Sequence, residues 1–284
     1  MPELPEVETI RRMVATHLTG HTVTSVEVSL AKLLRQSEIA DPQVLVGRTV
    51  IGARRRGKVL DIAFSGDLDV LVHFKLAGQL AIELPDGQRQ VAGHPVPKFD
   101  GELPHKSTHA KITFDDGRIA WYSDIRQFGW LNILTSDDVP AVLDALAIGP
   151  EATEPVDVER LGRLFARRSV PVKAVLLDQG VLAGLGNIYV DEVLFASGIH
   201  PATSAKTLVA AQIDTIAGQI PNVLAEGIRQ GGATIIHSKA VPDNEFPAVH
   251  GREGEACFRC GATIVKTRVA GRGTYFCPRC QPEP

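Results

Sequence analysis

Two Cys-x2-Cys pairs close the chain: Cys257 and Cys260, then Cys277 and Cys280 after sixteen intervening residues. Four thiolates in two such knuckles make a tetrahedral, closed coordination sphere, so the spacing predicts one structural Zn2+ with no open position for catalysis. Between the pairs, ATIVKTRVAGRGTYF alternates on both sides of Gly271-Arg272-Gly273 and predicts a β-hairpin that presents Arg272 at its tip. These are the only cysteines, and no secretory leader is read, which makes disulfide pairing the weaker alternative. Metal binding supplies on the order of 10 kcal/mol to a segment too short for its own core. Residues 257–284 carry Arg259, Lys266, Arg268, Arg272 and Arg279 against Glu283 alone. Ribbons of this kind bind protein or nucleic acid, and the positive balance favours phosphate.

At the other end, MPELPEVETIRRMVATHL predicts an amphipathic helix. Pro2 and Pro5 suit a first turn, Glu3, Glu6 and Glu8 complement its dipole, and Val7, Ile10, Val14 and Leu18 repeat at helical spacing. If Met1 is removed, Pro2 becomes a secondary amine with an ordinary α-amino pKa of roughly 7.7–8.0, hence partly nucleophilic near neutrality. A well-capped acidic helix start with no chemistry fits the same residues.

Between these ends the period changes once. Residues 22–30, 49–64, 68–84 and 109–134 alternate as half-buried strands, with turns at Pro85-Asp86-Gly87 and Asp115-Asp116-Gly117, and 88–107 read as a surface loop. Strands without intervening helices predict an antiparallel sandwich or barrel. Residues 157–168, 171–179, 187–197 and 206–229 carry helical stripes. The expected organisation is α+β multidomain: a β-sandwich with its helix over 1–134, a linker over 135–155, a helical domain over 156–250 and a zinc finger over 251–284. Within GVLAGLGN, three glycines and Asn187 form either an anion site at a helix start or merely tight turns.

Net charge is −3, which taken as a sum argues against a polyanion partner, but Arg54-Arg55-Arg56-Gly57-Lys58 and Arg163 to Lys173 concentrate positive charge locally. With no run of eighteen apolar residues, no membrane span is predicted. The expected setting is cytoplasmic and the expected state monomeric.

PELPEVET, RRGK at 55–58, DIRQFG at 124–129, LDQGVLAGLGNIYVDEVLF at 177–195, GREGEAC at 251–257 and the four-cysteine finger together resemble the bacterial formamidopyrimidine-DNA glycosylase and endonuclease VIII family, nearly end to end. The opening PELPE favours the formamidopyrimidine branch. The resemblance implies an N-terminal β-sandwich, a helix, two-turn, helix DNA-binding module and a zinc finger. It also implies a bifunctional glycosylase and AP lyase of base excision repair, acting on double-stranded DNA with damaged bases or abasic sites. By it Pro2 is the nucleophile at C1′, Glu3 the acid/base and Glu6 its support. Lys58, Asn187 and Arg272 then grip phosphates, and His73 and Lys173 line the DNA face. Leu76, Arg126 and Phe128 fill the gap left by a flipped nucleotide.

The chain also departs from that family. Leu76 stands where methionine is usual and Lys75 where glycine is usual, and Gln127 replaces a common arginine. The loop at 233–250 is short, and Pro242, Asp243, Asn244 and Phe246 have no evident counterpart, which implies a weakened preference for 8-oxoguanine. Two other readings fit part of the pattern: a non-catalytic DNA-binding protein on the same scaffold, which would not need a Pro2 amine, and a zinc ribbon that binds protein.

Overall fold

The computed structural model describes residues 2–233 and 246–283. The chain folds as two compact units, 1–146 and 147–284.

The first unit opens on α1 (Leu4–His17), with Pro5 in the first turn and Val7, Ile10 and Val14 wholly buried along one stripe. Nine strands follow: β1 (Val23–Val28), β2 (Val50–Arg56), β3 (Val59–Phe64), β4 (Leu68–His73), β5 (Gly78–Glu83), β6 (Arg89–Gly93), β7 (Thr108–Phe114), β8 (Ile119–Asp124) and β9 (Trp130–Thr135). They form a five-stranded sheet in the order β1-β7-β8-β5-β6 and a four-stranded sheet in the order β2-β3-β4-β9. Every pairing is antiparallel. Alternation turns Val26, Leu60, Val70, Ile82 and Phe114 inward to one core shared with α1. The sandwich expected from the strand pattern is therefore present.

The expected loop at 88–107 instead begins with strand β6, paired to β5 through Leu80 and Ala92. Its polar residues and the prolines after it hide the alternation, and an edge position tolerates both. Within the stretch read as a linker, Ser136–Asp138 make a 3-10 turn and α2 spans Val139–Ala145.

The second unit contains α3 (Val158–Ala166), α4 (Val172–Leu176), α5 (Asn187–Ser197) and α6 (Ala210–Arg229), then the hairpin β10 (Val265–Val269) and β11 (Arg272–Phe276). Helix α5 is its axis, because Ile188 to Phe195 are all buried, and it ends at Gly198 with a left-handed φ of 68°. Helix α6 approaches α5 closely at Gly227, where a Cβ would stand 2.4 Å from the Tyr189 ring. Among the described residues, no helix is long and apolar enough to cross a membrane.

Candidate active site and nucleic-acid interface

In the first unit, α1 runs antiparallel to β2. The Gly20 N–H donates to Val50 O (2.8 Å), Arg11 Nη1 to Ala53 O (3.5 Å) and Arg55 Nε to Glu8 Oε2 (3.5 Å), so earlier helix residues meet later strand residues. From Glu8 back to Leu4, helix rise covers about 6 Å, and Pro2 and the extended Glu3 run on ahead of the helix; from Arg55 on to Lys58, strand rise covers about 10 Å. Pro2 and Glu3 therefore lie at the end of the sandwich that holds the Gly57-Lys58 turn.

Strand register brings the other expected residues to this end. Val59 pairs with His73, and His73 with Trp130; in the other sheet Gly78 pairs with Asp124. Loops 74–77 and 125–129 thus both cross between the sheets here, one carrying Leu76 and the other Arg126 and Phe128. Each crossing contains a non-glycine residue in the left-handed region, Lys75 at φ 48° and Gln127 at φ 54°. That conformation at Lys75 is one glycine takes without strain.

Burial divides the cluster in two. Pro2, Glu3, Glu6 and Lys58 are buried, and the Glu3 N–H donates to Glu6 Oε2 at 2.9 Å, which fixes the residue beside the amine. Leu76 and Phe128 are exposed at 37% and 43%, far more than core side chains of their size. The Arg126 guanidinium sits 5.3 Å from the Phe128 ring centroid. His73 accepts the Lys75 N–H at Nδ1 (3.0 Å) and packs its ring against Trp130. Burial, then the charges of Lys75 and Lys58, hold its pKa down to about 3, so it faces the site as a neutral imidazole.

Three features of this end escaped the sequence reading. Asp124 braces the wedge loop, its two carboxylate oxygens accepting the Arg126 N–H (3.0 Å) and the Gly129 N–H (2.8 Å). Ile125 is a further exposed apolar side chain beside Arg126. His94, just past β6, donates its N–H to Gly78 O (3.0 Å) and so belongs to the same end. An aspartate opening a short loop that closes on glycine was the available signal for Asp124.

In the second unit, three expected residues meet at the finger hairpin. Asn187, the first residue of α5, donates from Nδ2 to Gly273 O (2.9 Å), next to Arg272. Lys173 was expected on the DNA face, and the structure corrects this. It is fully buried, its ammonium 2.6 Å from Asp191 Oδ1 and donating to Gly273 O (3.1 Å) and Thr274 Oγ1 (2.8 Å). A lysine with all its donors directed inward organises the hairpin and does not reach phosphate. Arg272 is exposed at the hairpin turn. Asp191 and Glu192 were missed, since on an apolar helix their partners lie 18 to 84 residues away.

Cys257, Cys260, Cys277 and Cys280 place their sulfurs within 4.8 Å of one another. The Ala262 N–H, foremost, holds the Cys260 thiol down to about 7, while burial, foremost, pushes the Cys277 thiol up and the Cys280 thiol up to about 12. Four converging sulfurs of this kind suit a tetrahedral dication and leave no position for substrate. The expected short capping loop falls largely on residues 234–245, including Pro242, Asp243 and Asn244, which lie outside the described residues. Phe246 is buried, its ring 5.9 Å from that of Tyr189.

The formamidopyrimidine-DNA glycosylase N-terminal domain model matches residues 1–131, the formamidopyrimidine-DNA glycosylase H2TH domain model residues 146–239, and the zinc finger found in FPG and IleRS residues 254–282. The chain belongs to the formamidopyrimidine-DNA glycosylase family. Within that family it is 36% identical over 288 residues to the Lactococcus lactis formamidopyrimidine-DNA glycosylase, covering 99% of both chains. The Bacillus cereus enzyme of the same name is 35% identical over 293 residues with the same coverage. Among solved structures, the Lactococcus lactis protein in complex with DNA containing an abasic site superposes with a TM-score of 0.86 at 33% identity, covering 99% of this chain and 100% of that one. The same protein bound to DNA containing N7-benzyl-Fapy-dG gives 0.86 at 34% identity with equal coverage. The family's finger spans all four cysteines, so a structural zinc is the group this site fits.

Proposed function

We propose that this chain, a DNA glycosylase of base excision repair by family, is bifunctional and works through Pro2 once Met1 is removed. The Pro2 nitrogen lone pair bonds to C1′ of an extruded nucleotide as the bond from C1′ to the base breaks. The base leaves with the bonding electrons and takes up a proton, and sugar opening yields an iminium between Pro2 and C1′. Loss of a C2′ proton then expels the 3′-phosphate, and a second elimination expels the 5′-phosphate. Glu3 is the group placed to carry these protons, with Glu6 fixing it. The observation that carries this reading is the direction of α1, which takes Pro2 and Glu3 to the end of the sandwich that holds Lys58 and both wedge loops.

The remaining roles are those that the family resemblance implies. Lys58, Asn187 and Arg272 contact phosphates; His73, neutral, contributes only a hydrogen bond. Leu76 and Phe128 replace the stacking lost on extrusion, and Arg126 takes the orphaned base's hydrogen bonds. Residues 1–134 carry the chemistry, and 156–250 with 251–284 hold the DNA. One zinc maintains the finger, and the enzyme works on chromosomal DNA in the cytoplasm.

The test is borohydride trapping on duplex DNA containing an abasic site. The Met1-processed protein forms a covalent complex through its N-terminal residue, and acetylation of that amine, which removes the nitrogen lone pair, abolishes it. Binding without trapping by the processed protein removes the enzyme reading and leaves a non-catalytic DNA-binding protein.

A second proposal concerns the lesion. Lys75, beside the wedge in place of glycine, adds a cation at the extrusion site, and with the short 233–250 loop we read a preference shifted from 8-oxoguanine toward formamidopyrimidines, oxidised pyrimidines or abasic sites. Single-turnover rates on matched duplexes test it, and a strong preference for 8-oxoguanine overturns it.

A further inference from the structure

Asp191 lies at the centre of a buried network that nothing in the catalytic scheme uses. Its Oδ1 receives Lys173 Nζ at 2.6 Å, and its Oδ2 accepts from Tyr275 N–H (3.1 Å) and His250 Nδ1 (2.8 Å). Lys173 passes the constraint on to Gly273 O and Thr274 Oγ1, and the Thr274 hydroxyl donates to Arg272 O at 3.0 Å. Four consecutive residues of β11, from Arg272 to Tyr275, are therefore each tied by a polar group into one network. Asp191 and Lys173 have side chains without solvent exposure, where a charge is stable only with its partner and full hydrogen bonding. The neighbouring Glu192, also buried, accepts the N–H groups of Ala248 (2.6 Å), Val249 (3.0 Å) and His250 (2.8 Å) and anchors the chain that enters the finger.

Zinc alone does not account for this arrangement. The cysteines fix the knuckle end of the hairpin, and Arg272 stands at the opposite end, next to a two-residue turn with Ala270 at φ 49° and Gly271 at φ 75°. A free two-stranded ribbon twists and flexes away from its anchored end. A cation that must meet one phosphate loses affinity if it is not held in place beforehand.

We propose that Asp191 is a positioning residue for DNA binding, which through Lys173, Thr274 and Tyr275 holds Arg272 where it meets a DNA phosphate. This rests on the reading of Arg272 as a phosphate contact. Asp191 itself touches no DNA; it fixes the strand that carries the contact.

The test uses the full-length, zinc-loaded protein and duplex DNA containing a tetrahydrofuran abasic-site analogue. Asp191→Asn is expected to retain one zinc, to raise hydrogen exchange at the Tyr275 amide at least about tenfold, and to weaken DNA binding about tenfold or more. The dependence of log K on log salt becomes shallower by about one phosphate contact, a slope change near 0.9. Arg272→Ala shows the same affinity and slope, and Asp191→Asn adds nothing in the Arg272→Ala background, because both changes remove the same contact. Should Asp191→Asn misfold, Lys173→Met/Asp191→Leu removes both charges together; it is expected to melt near wild type and still show the reduced slope. Wild-type slope in these folded variants, or losses that add to those of Arg272→Ala, overturn the positioning role while leaving the enzyme reading intact. If Arg272→Ala itself binds with the wild-type slope, the phosphate reading of Arg272 falls first and the positioning role with it.

Discussion

The backbone N–H of Glu3 donates to the carboxylate of Glu6 at 2.9 Å, with both residues buried to 1% exposure. One turn of helix thereby clasps the residue adjoining Pro2. Glu6→Ala removes that acceptor, at a cost of about 1–3 kcal/mol for a buried donor. The thermal midpoint should fall, and the rate of covalent trapping at saturating DNA should fall more than DNA affinity. Glu6→Gln keeps an acceptor oxygen and should stay close to wild type in stability; equal losses for both variants would show that the charge, and not the clasp, matters.

Gly129 closes the wedge loop where no other residue fits. A Cβ there would stand 1.9 Å from the Tyr122 hydroxyl and 3.1 Å from Asp124 Oδ2. Gly129→Ala should destabilise by about 1–3 kcal/mol through overpacking and displace Phe128, weakening lesion-DNA binding. The Tyr122 hydroxyl is buried without a hydrogen-bond partner among the described residues. Tyr122→Phe should therefore be near neutral, and in combination should recover part of the Gly129→Ala loss in urea denaturation. Strict additivity of the two changes would contradict the clash.

His73 should make the fold acid-sensitive without shaping the activity profile. Its pKa in the folded protein is about 3, below the ordinary 6.5, so the unfolded chain binds the extra proton between those values. The contribution is complete above about pH 6.5 and is lost as pH falls toward 3, at up to about 1.4 kcal/mol per pH unit. Chemical denaturation at pH 7 and pH 5 should show a smaller pH dependence in His73→Asn than in wild type. Above pH 5 the rate profile should contain no ionisation that His73→Asn removes.

Zinc removal should affect one unit. The protein should carry one zinc per chain by elemental analysis, and Cys277→Ser or a strong chelator should abolish it. DNA affinity should then collapse as the finger loses on the order of 10 kcal/mol of folding support. Hydrogen exchange in β2 to β5 should be unchanged. Retained DNA affinity in the metal-free protein would rule out a finger role in binding.

Much of the architecture was written locally. The first helix, the alternating strands and the cysteine spacing all depend on residues within a few positions of one another; the helix begins at Leu4, with Pro5 in its first turn as expected and Pro2 ahead of its Glu3 cap. Strand β6 was hidden because an edge strand beside prolines needs no clean alternation. Lys173 looked like a surface cation because a basic run normally is one; only a carboxylate eighteen residues away, Asp191, makes its burial tolerable.

By itself, the sequence determined which groups are available: a proline and two carboxylates at the start of a helix, four thiols for a metal, and a turn bearing Arg272. Tertiary structure alone decided where they act. The α1 direction, set by Gly20 on Val50 and Glu8 beside Arg55, puts Pro2 at the Lys58 end, and strand register puts Leu76 and Phe128 there as well. Those relations are hydrogen bonds and ion pairs between residues far apart in the chain, and no local pattern encodes which distant partner a backbone group will find.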